Sequence, residues 1–382
     1  MKILGIAGRE IINSRGKAAF EAEIITDEGI FRGAAPSGAS TGRNEAVEKR
    51  DGGRRWAGSG FMGSLSRLKQ IGKKLVGKEF RTLNEFDSAL IKIDGTKGKS
   101  RLGSELTTAL SAAFFKAQCP KPKKMPIPMF NIINGGVHGG SGLAIQEFMA
   151  VPQEKTFKEA VVAGCEIYTE LRKAIEKKYG RGATGVGDEG GFIPPLRNSS
   201  QALDLICSSA EEAGRRFKIA LDAAANSFFS KGNYLIDGKK LSPESLLEHY
   251  RGIISSYPVM SIEDPFAEGH EEFFGKLNNS IKVIGDDITV TSKRLIIKNS
   301  KNISGVIIKI NQVGTVTEAI EAVRAAKQSG IFTVVSHRSG ETEDLTISLL
   351  SAWLPSDYIK SGAPARERAA KYNELIRLEE CL

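Results

Sequence analysis

Three short apolar runs in this chain each end in an acid: "FKIALD" closes on Asp222, "VMSIED" on Glu263 and Asp264, and "KVIGDD" on Asp286 and Asp287. Carboxylates brought together repel one another and raise one another's pKa unless a cation sits among them. If the runs are strands that end at one place, Asp222, Glu263 and Asp286 make a divalent-metal site, and Asp264 and Asp287 are left to cap or support it. All-oxygen ligation with no cysteine or histidine nearby suits Mg²⁺ or Mn²⁺ rather than zinc. A single acid at a strand end would as readily cap the next helix, but three in register point to the metal.

The runs that follow bring the opposite charge. "GVIIKIN" sets Lys309 after a branched apolar stretch, "FTVVSHRSG" ends on His337, Arg338 and Ser339, and "DYIKSGAP" carries Lys360. A lysine beside a metal and a second lysine is expected to hold its proton weakly, which makes it a candidate base. Arg338 and Ser339, read as opening a helix over "SGETED", would offer a phosphate a guanidinium fork, a hydroxyl and a helix N-terminus. Upstream, "NGGVHGG" gives His138, "AIQEFMAVP" gives Glu147, and "GVGDEGGF" gives Glu189. Carboxylates facing lysines across a metal form an acid/base pair, one side removing a proton and the other protonating a leaving group. His249 and His270 lie in helical surroundings and receive no role.

Such a set needs strands that all deliver their ends to one mouth. From "PKPKKMPIP" onward, six short apolar runs alternate with stretches of helical periodicity such as "VTEAIEAVRAAKQSG". Strands regularly separated by helices imply parallel β/α units, and this many favour a closed α/β barrel of the TIM type, (β/α)8. Before the proline-rich stretch, residues 1–34 alternate apolar and polar side chains around the turn "DEG", and residues 60–116 have mainly helical spacing. The expectation is an α+β domain over 1–119 and a catalytic barrel over 125–382.

At 382 residues the chain has room for both, since such barrels run to ~250 residues. No apolar run approaches the roughly 18 residues that span a bilayer, so a cytoplasmic protein with no membrane partner is expected. Cys119, Cys165, Cys207 and Cys381 are scattered without metal or disulfide spacing and read as reduced thiols. The net charge of +9 is spread along the chain, which favours attraction of anionic metabolites over a dedicated nucleic-acid surface.

With these residues in view, the chain resembles the enolase family nearly end to end. "PSGASTG", "NGGVHGG", "QEFM", "GDEGGF", "SIEDP", "GDDITVT", "KINQVGT", "SHRSGETED" and "IKSGAPAR" stand in family order. The resemblance implies a barrel of the enolase kind and dehydration of 2-phosphoglycerate to phosphoenolpyruvate with two Mg²⁺ ions. A Lys or His base with one or two Mg²⁺ is the general scheme of this superfamily. By position it implies Lys309 as the base at C2, and Glu189 with Glu147 beside it at the departing hydroxyl. It implies Asp222, Glu263 and Asp286 on the first ion and Ser40 on the second. Arg338 and Ser339 would contact phosphate, Lys360 the substrate carboxylate, and His138 and His337 the pocket wall. It also implies a homodimer, with Arg9, Glu21, Arg377 and Glu380 matching intersubunit ion pairs.

The chain departs from the family pattern at Lys17 and Ala18 in "NSRGKA", at Asn226 and Ser227 after the first metal run, and in "GGSG" after His138. Two alternatives stand beside the lyase: a weakly active relative serving as a binding or scaffold protein, and an enzyme acting on another carboxylate acid.

Overall fold

The structure, a computed structural model, describes residues 1–38, 42, 44–118, 120–139, 142–354 and 356–382. The chain starts as the expected meander, β1 (Ile3–Ile12), β2 (Ala18–Thr26) and β3 (Gly29–Ala35), paired in sequence order and antiparallel. Thr26 pairs with Gly29 across the "DEG" turn, and the Thr26 hydroxyl accepts from the Glu28 amide inside it. Three helices follow, α1 (Met62–Leu75), α2 (Leu83–Asp94) and α3 (Ser104–Ala117). Helix α3 is buried on nearly every face because it lies directly on β3. Gly33 permits that approach: a β-carbon there would come 2.2 Å from the Ala109 carbonyl oxygen.

The proline-rich stretch forms no regular element and leads into the barrel. The barrel closes in the order β4 (Ile127–Asn134), β5 (Glu147–Pro152), β6 (Phe217–Asp222), β10 (Val259–Glu263), β11 (Lys282–Gly285), β12 (Gly305–Ile308), β13 (Phe332–Ser336) and β14 (Tyr358–Lys360). A side sheet of three short strands, β7 (Phe229–Ser230), β8 (Asn233–Ile236) and β9 (Lys239–Leu241), stands after β6. The last six expected strands are all present.

The all-parallel expectation fails at one strand. β5 runs antiparallel to both β4 and β6. The connection from β4 holds only the single-turn helix α4 (Gly136–Gly139), too short to carry a crossover back to the other end of the barrel. The return is made later, by the helical hairpin α5 (Phe157–Tyr179) and α6 (Ser199–Glu212). As a result the start of β5 and the loop between α5 and α6 both lie at the mouth.

Helices α7 (Pro243–Ser256), α8 (Glu271–Asn278), α9 (Lys293–Asn299), α10 (Ile310–Val313), α11 (Val316–Gln328), α12 (Thr346–Trp353) and α13 (Ala369–Glu379) complete the chain. Their starts follow local chemistry: Ser242 caps α7 ahead of Pro243, and Thr315 caps α11 by accepting from the Glu318 amide. Met129, Met149, Val151, Ala220, Ile284, Ile307 and Val334 fill the inside of the barrel, so it is a packed core with an open end. Among the described residues no helix is long and apolar enough to cross a membrane. Cys165, Cys207 and Cys381 are free thiols, and Cys119 lies outside the described residues.

Candidate active site

The strand ends converge as the sequence requires. Glu263 ends β10 in register with Asp222 at the end of β6, Asp286 follows β11, Lys309 follows β12, His337 follows β13, and Lys360 ends β14. Glu147 joins them from the start of the antiparallel β5, paired with Asn134 on one side and Asp222 on the other. Glu189 comes from the loop between α5 and α6, which β-bridges tie to Ile133 and Val186 through Phe192. All of these groups but Glu263 line one cavity of about 440 Å³.

The two lysines are set among the acids. The Lys360 ammonium lies 2.9 Å from both Asp222 Oδ2 and Glu263 Oε2, and 3.3 Å from Glu147 Oε2. Burial alone would lower its pKa, but Asp222, Glu147 and Glu263 together push it well above the usual lysine value. Lys309 donates to Asp286, and its backbone N–H is fixed by the Thr291 hydroxyl at 2.9 Å. The weak hold expected of Lys309 presumes a metal ion beside it, and the protein groups alone act the other way. Burial works against the ammonium, but the adjoining Asp286 carboxylate outweighs burial, and the pKa is raised.

Asp264 and Asp287 lie beside these strand ends. Asp264 accepts from the amides of Asp286 and Asp287 at 3.0 and 2.7 Å, which orients the turn after β11. Burial and the charge of Asp286 push Asp287 up to about 6. Asn226, where the family pattern differs, donates to Asp287 Oδ2 at 2.9 Å, so this departure is absorbed by a neutral hydrogen bond.

His138 Nδ1 stands 3.6 Å from Glu147 and 3.5 Å from Glu189, and His337 Nε2 stands 3.4 Å from Glu189. Burial and the neighbouring Glu189 charge raise Glu147 well above the carboxylate range. Burial opposes ionisation of Glu189 as well, but His337, His138 and Arg368 hold it well below that range. The two carboxyls are thus driven apart, Glu147 toward its protonated form and Glu189 toward its ionised form. Burial lowers His337 to about 4, so at neutral pH it is a neutral imidazole.

The phosphate side needs correction. "SGETED" is not helical; α12 starts only at Thr346, so this run gives Arg338 and Ser339 no helix N-terminus of its own. The Glu341 carboxylate accepts from the amides of Arg338 and Thr342, and Gly340 bridges to Ser37, so the segment is pinned as an irregular loop. The Arg338 fork bonds Glu45 Oε2 at 3.1 Å and Asn311 Oδ1 at 3.0 Å, and the Ser339 hydroxyl is buried without a hydrogen-bond partner. His249 and His270 stand apart from this mouth, on Asp237 and Tyr234. Ser40 lies outside the described residues.

Three residues of the site carry no sequence signal. Glu45 lies in the charge-rich run "GRNEAVEKR", where one acid cannot be told from another, yet it meets Arg338 across 293 positions. Gln312 Nε2 donates to Asp286 Oδ1 at 3.1 Å while its carbonyl accepts from Thr291, and Asn131 Nδ2 donates to Glu189 at 3.0 Å. Their short polar side chains would need a three-dimensional partner to stand out; "KINQ" at a strand end was the available hint for Gln312.

The donor set fits a hard divalent cation. Among the described residues Lys309 pairs with Asp286 and Lys360 with Asp222 and Glu263, and Glu263 Oε1 is buried with no hydrogen-bond partner. Two tighter groupings, Asp264 with Asp286 and Asp287, and His138 with Glu147 and Glu189, each bring donor atoms within 4.8 Å of one another. These acidic groups could hold a metal ion.

Two family models match the chain, the enolase N-terminal domain over residues 3–133 and the enolase C-terminal TIM barrel domain over 122–382. Among curated proteins, an enolase of Methanocaldococcus jannaschii is 44% identical over 99% of this chain and 95% of its own length. Enolases of Methanosarcina barkeri and Pyrococcus furiosus are 42% and 40% identical, covering 100% and 99% of this chain and 95% of their own lengths. With both models matched in order and these identities held over nearly its whole length, the chain belongs to the enolase family.

Proposed function

We propose that this mouth dehydrates 2-phosphoglycerate to phosphoenolpyruvate reversibly, the step of glycolysis and gluconeogenesis that makes the chain a phosphopyruvate hydratase, a carbon–oxygen lyase. Membership of the family carries the activity. One observation carries the assignment of roles: Lys309 and Lys360 line one cavity together with Glu147 and Glu189, and the Lys360 ammonium lies 3.3 Å from Glu147.

In this reading Lys309 takes the C2 proton, and Glu189 assists the C3 hydroxyl as it leaves, drawing on the proton its pair with Glu147 retains. Lys360 contacts the substrate carboxylate, and His138 and His337 line the pocket. Arg338 supplies a fork for the phosphate, and Ser339 a hydroxyl that has no hydrogen-bond partner among the described residues. Glu45 occupies part of that fork, so phosphate must share Arg338 or displace Glu45.

Asp222, Glu263 and Asp286 would hold the first of two Mg²⁺ ions. When bound, the ions supply positive charge that engages Asp286 and neutralises the charge building on the substrate carboxylate. Residues 1–119 would act as a cap over the barrel of 125–382, in a cytoplasmic homodimer. Absorbance at 240 nm with 2-phosphoglycerate, under Mg²⁺ titration, tests the reading. Product formation should require Mg²⁺ and vanish in Lys309→Ala; folded wild-type protein that shows no turnover at any Mg²⁺ concentration would overturn it.

A further inference from the structure

We propose that Arg368 is a positioning residue that holds the phosphate-binding pair Arg338 and Ser339 in register with Glu189. The inference rests on the roles proposed above. Arg368 ends a short turn, residues 366–368, just before α13, and no part of it reaches solvent. Its Nη1 donates to the Arg338 carbonyl at 2.9 Å, and its Nη2 to the Ser339 carbonyl at 2.8 Å and the Asp188 carbonyl at 3.1 Å. One rigid planar group therefore bonds both peptides of the phosphate pair and the peptide just before Glu189. Those two segments approach the substrate from different barrel loops, and the other end of each contact is backbone, with no side-chain freedom to absorb a change.

The surroundings are built around this fork. Glu367 Oε1 lies 2.9 Å from Nε and balances the buried charge. The turn that presents Arg368 begins on Arg366 in the left-handed region, at φ +55°, a conformation that persists only where neighbouring contacts enforce it. Gly362, at φ +69°, passes so close that a β-carbon would meet the Glu189 carbonyl at 2.6 Å and Arg368 Cγ at 3.0 Å. The positive charge also helps hold Glu189 ionised. A lysine keeps that charge but cannot reach three carbonyls from one plane.

Placement errors of about 1 Å in reacting groups can cost roughly 100-fold in rate. Arg368→Lys and Arg368→Gln, with kcat expressed per folded molecule from circular dichroism, should each lose about 100-fold in kcat, with KM for 2-phosphoglycerate moving less than about 3-fold. Arg338→Gln, which removes a direct phosphate contact, should instead raise KM. Glu367→Gln, at a partly exposed position, should lower kcat about 5-fold at unchanged melting temperature. The inference is overturned if either Arg368 variant keeps wild-type kcat per folded molecule or, should both fail to fold, if Glu367→Gln keeps wild-type kcat. Absence of wild-type turnover would instead sink the reading of the site, and that control reports separately.

Discussion

Lys360 is enclosed by Asp222, Glu263 and Glu147, with essentially no exposure. A buried cation surrounded in this way stays charged at any accessible pH, because its proton is what keeps three carboxylates tolerable at one place. Removing one partner of a buried ion pair typically costs about 3–5 kcal/mol, most of it from the charges left behind. Lys360→Met should therefore melt well below wild type in a chelator, and Mg²⁺ should recover more stability in the variant than in the wild type. Thermal melts with chelator and with Mg²⁺ check this; equal Mg²⁺ gains in both proteins would mean that the acids are not sharing one cation site. The same residue shows where side-chain reasoning succeeds and fails: the sequence placed Lys360 at the mouth but gave no hint that its ammonium would sit among Asp222, Glu263 and Glu147.

At the level of elements, the antiparallel β5 brings Glu147 to the mouth from the beginning of a strand, when every other barrel strand delivers a residue at or just beyond its end. A second element-level device links the N-terminal helices to the barrel. Asp87 on α2 accepts from Ser111 Oγ on α3 and from the Thr317 amide in the first turn of α11, both at 2.9 Å, while the Val316 amide donates to Ser111. Asp87 is wholly buried, and desolvation pushes it from 3.8 up to about 6, with Glu318 adding to the rise against the hydrogen bonds it accepts. Since the folded value lies above the unfolded one, this group favours the folded state fully below about pH 4, and that contribution is lost as pH rises through 6. The loss amounts to about 3 kcal/mol at neutral pH. Asp87→Asn keeps an acceptor for the amide and removes the buried charge, so it should raise the melting temperature at pH 8 more than at pH 4. A uniform shift at both pH values would contradict the assignment.

For the whole molecule, the open question is assembly. Arg9 pairs with Glu21, and with Glu23 at 3.1 Å, on the outer sheet, and Arg377 pairs with Glu374 at 2.8 Å within α13. These pairs lie at the surface, where isolated ion pairs contribute little, so a partner could take them over at small cost. We expect light scattering after gel filtration to give about twice the chain mass of 41.3 kDa, and a monomer at micromolar concentration would remove the dimer. Nothing in the fold favours the scaffold reading over the enzyme.

The sequence by itself determined the α/β barrel, the meander before it and almost every polar group at the mouth, because strand-ending acids and lysines are local patterns that a barrel must gather at one end. It also carried the family, through motifs such as "SHRSGETED" in order. Only the tertiary structure decided the direction of β5, since apolar periodicity is the same read either way along a strand. It alone decided that "SGETED" is a loop, because Glu341 satisfies amides that a helix would otherwise have used. The direction of the Lys309 shift was decided in a similar way. Its pKa depends on which carboxylate lies against it, and contacts such as Asp286 with Lys309, Glu45 with Arg338 and Arg368 with Asp188 join residues that no local pattern connects.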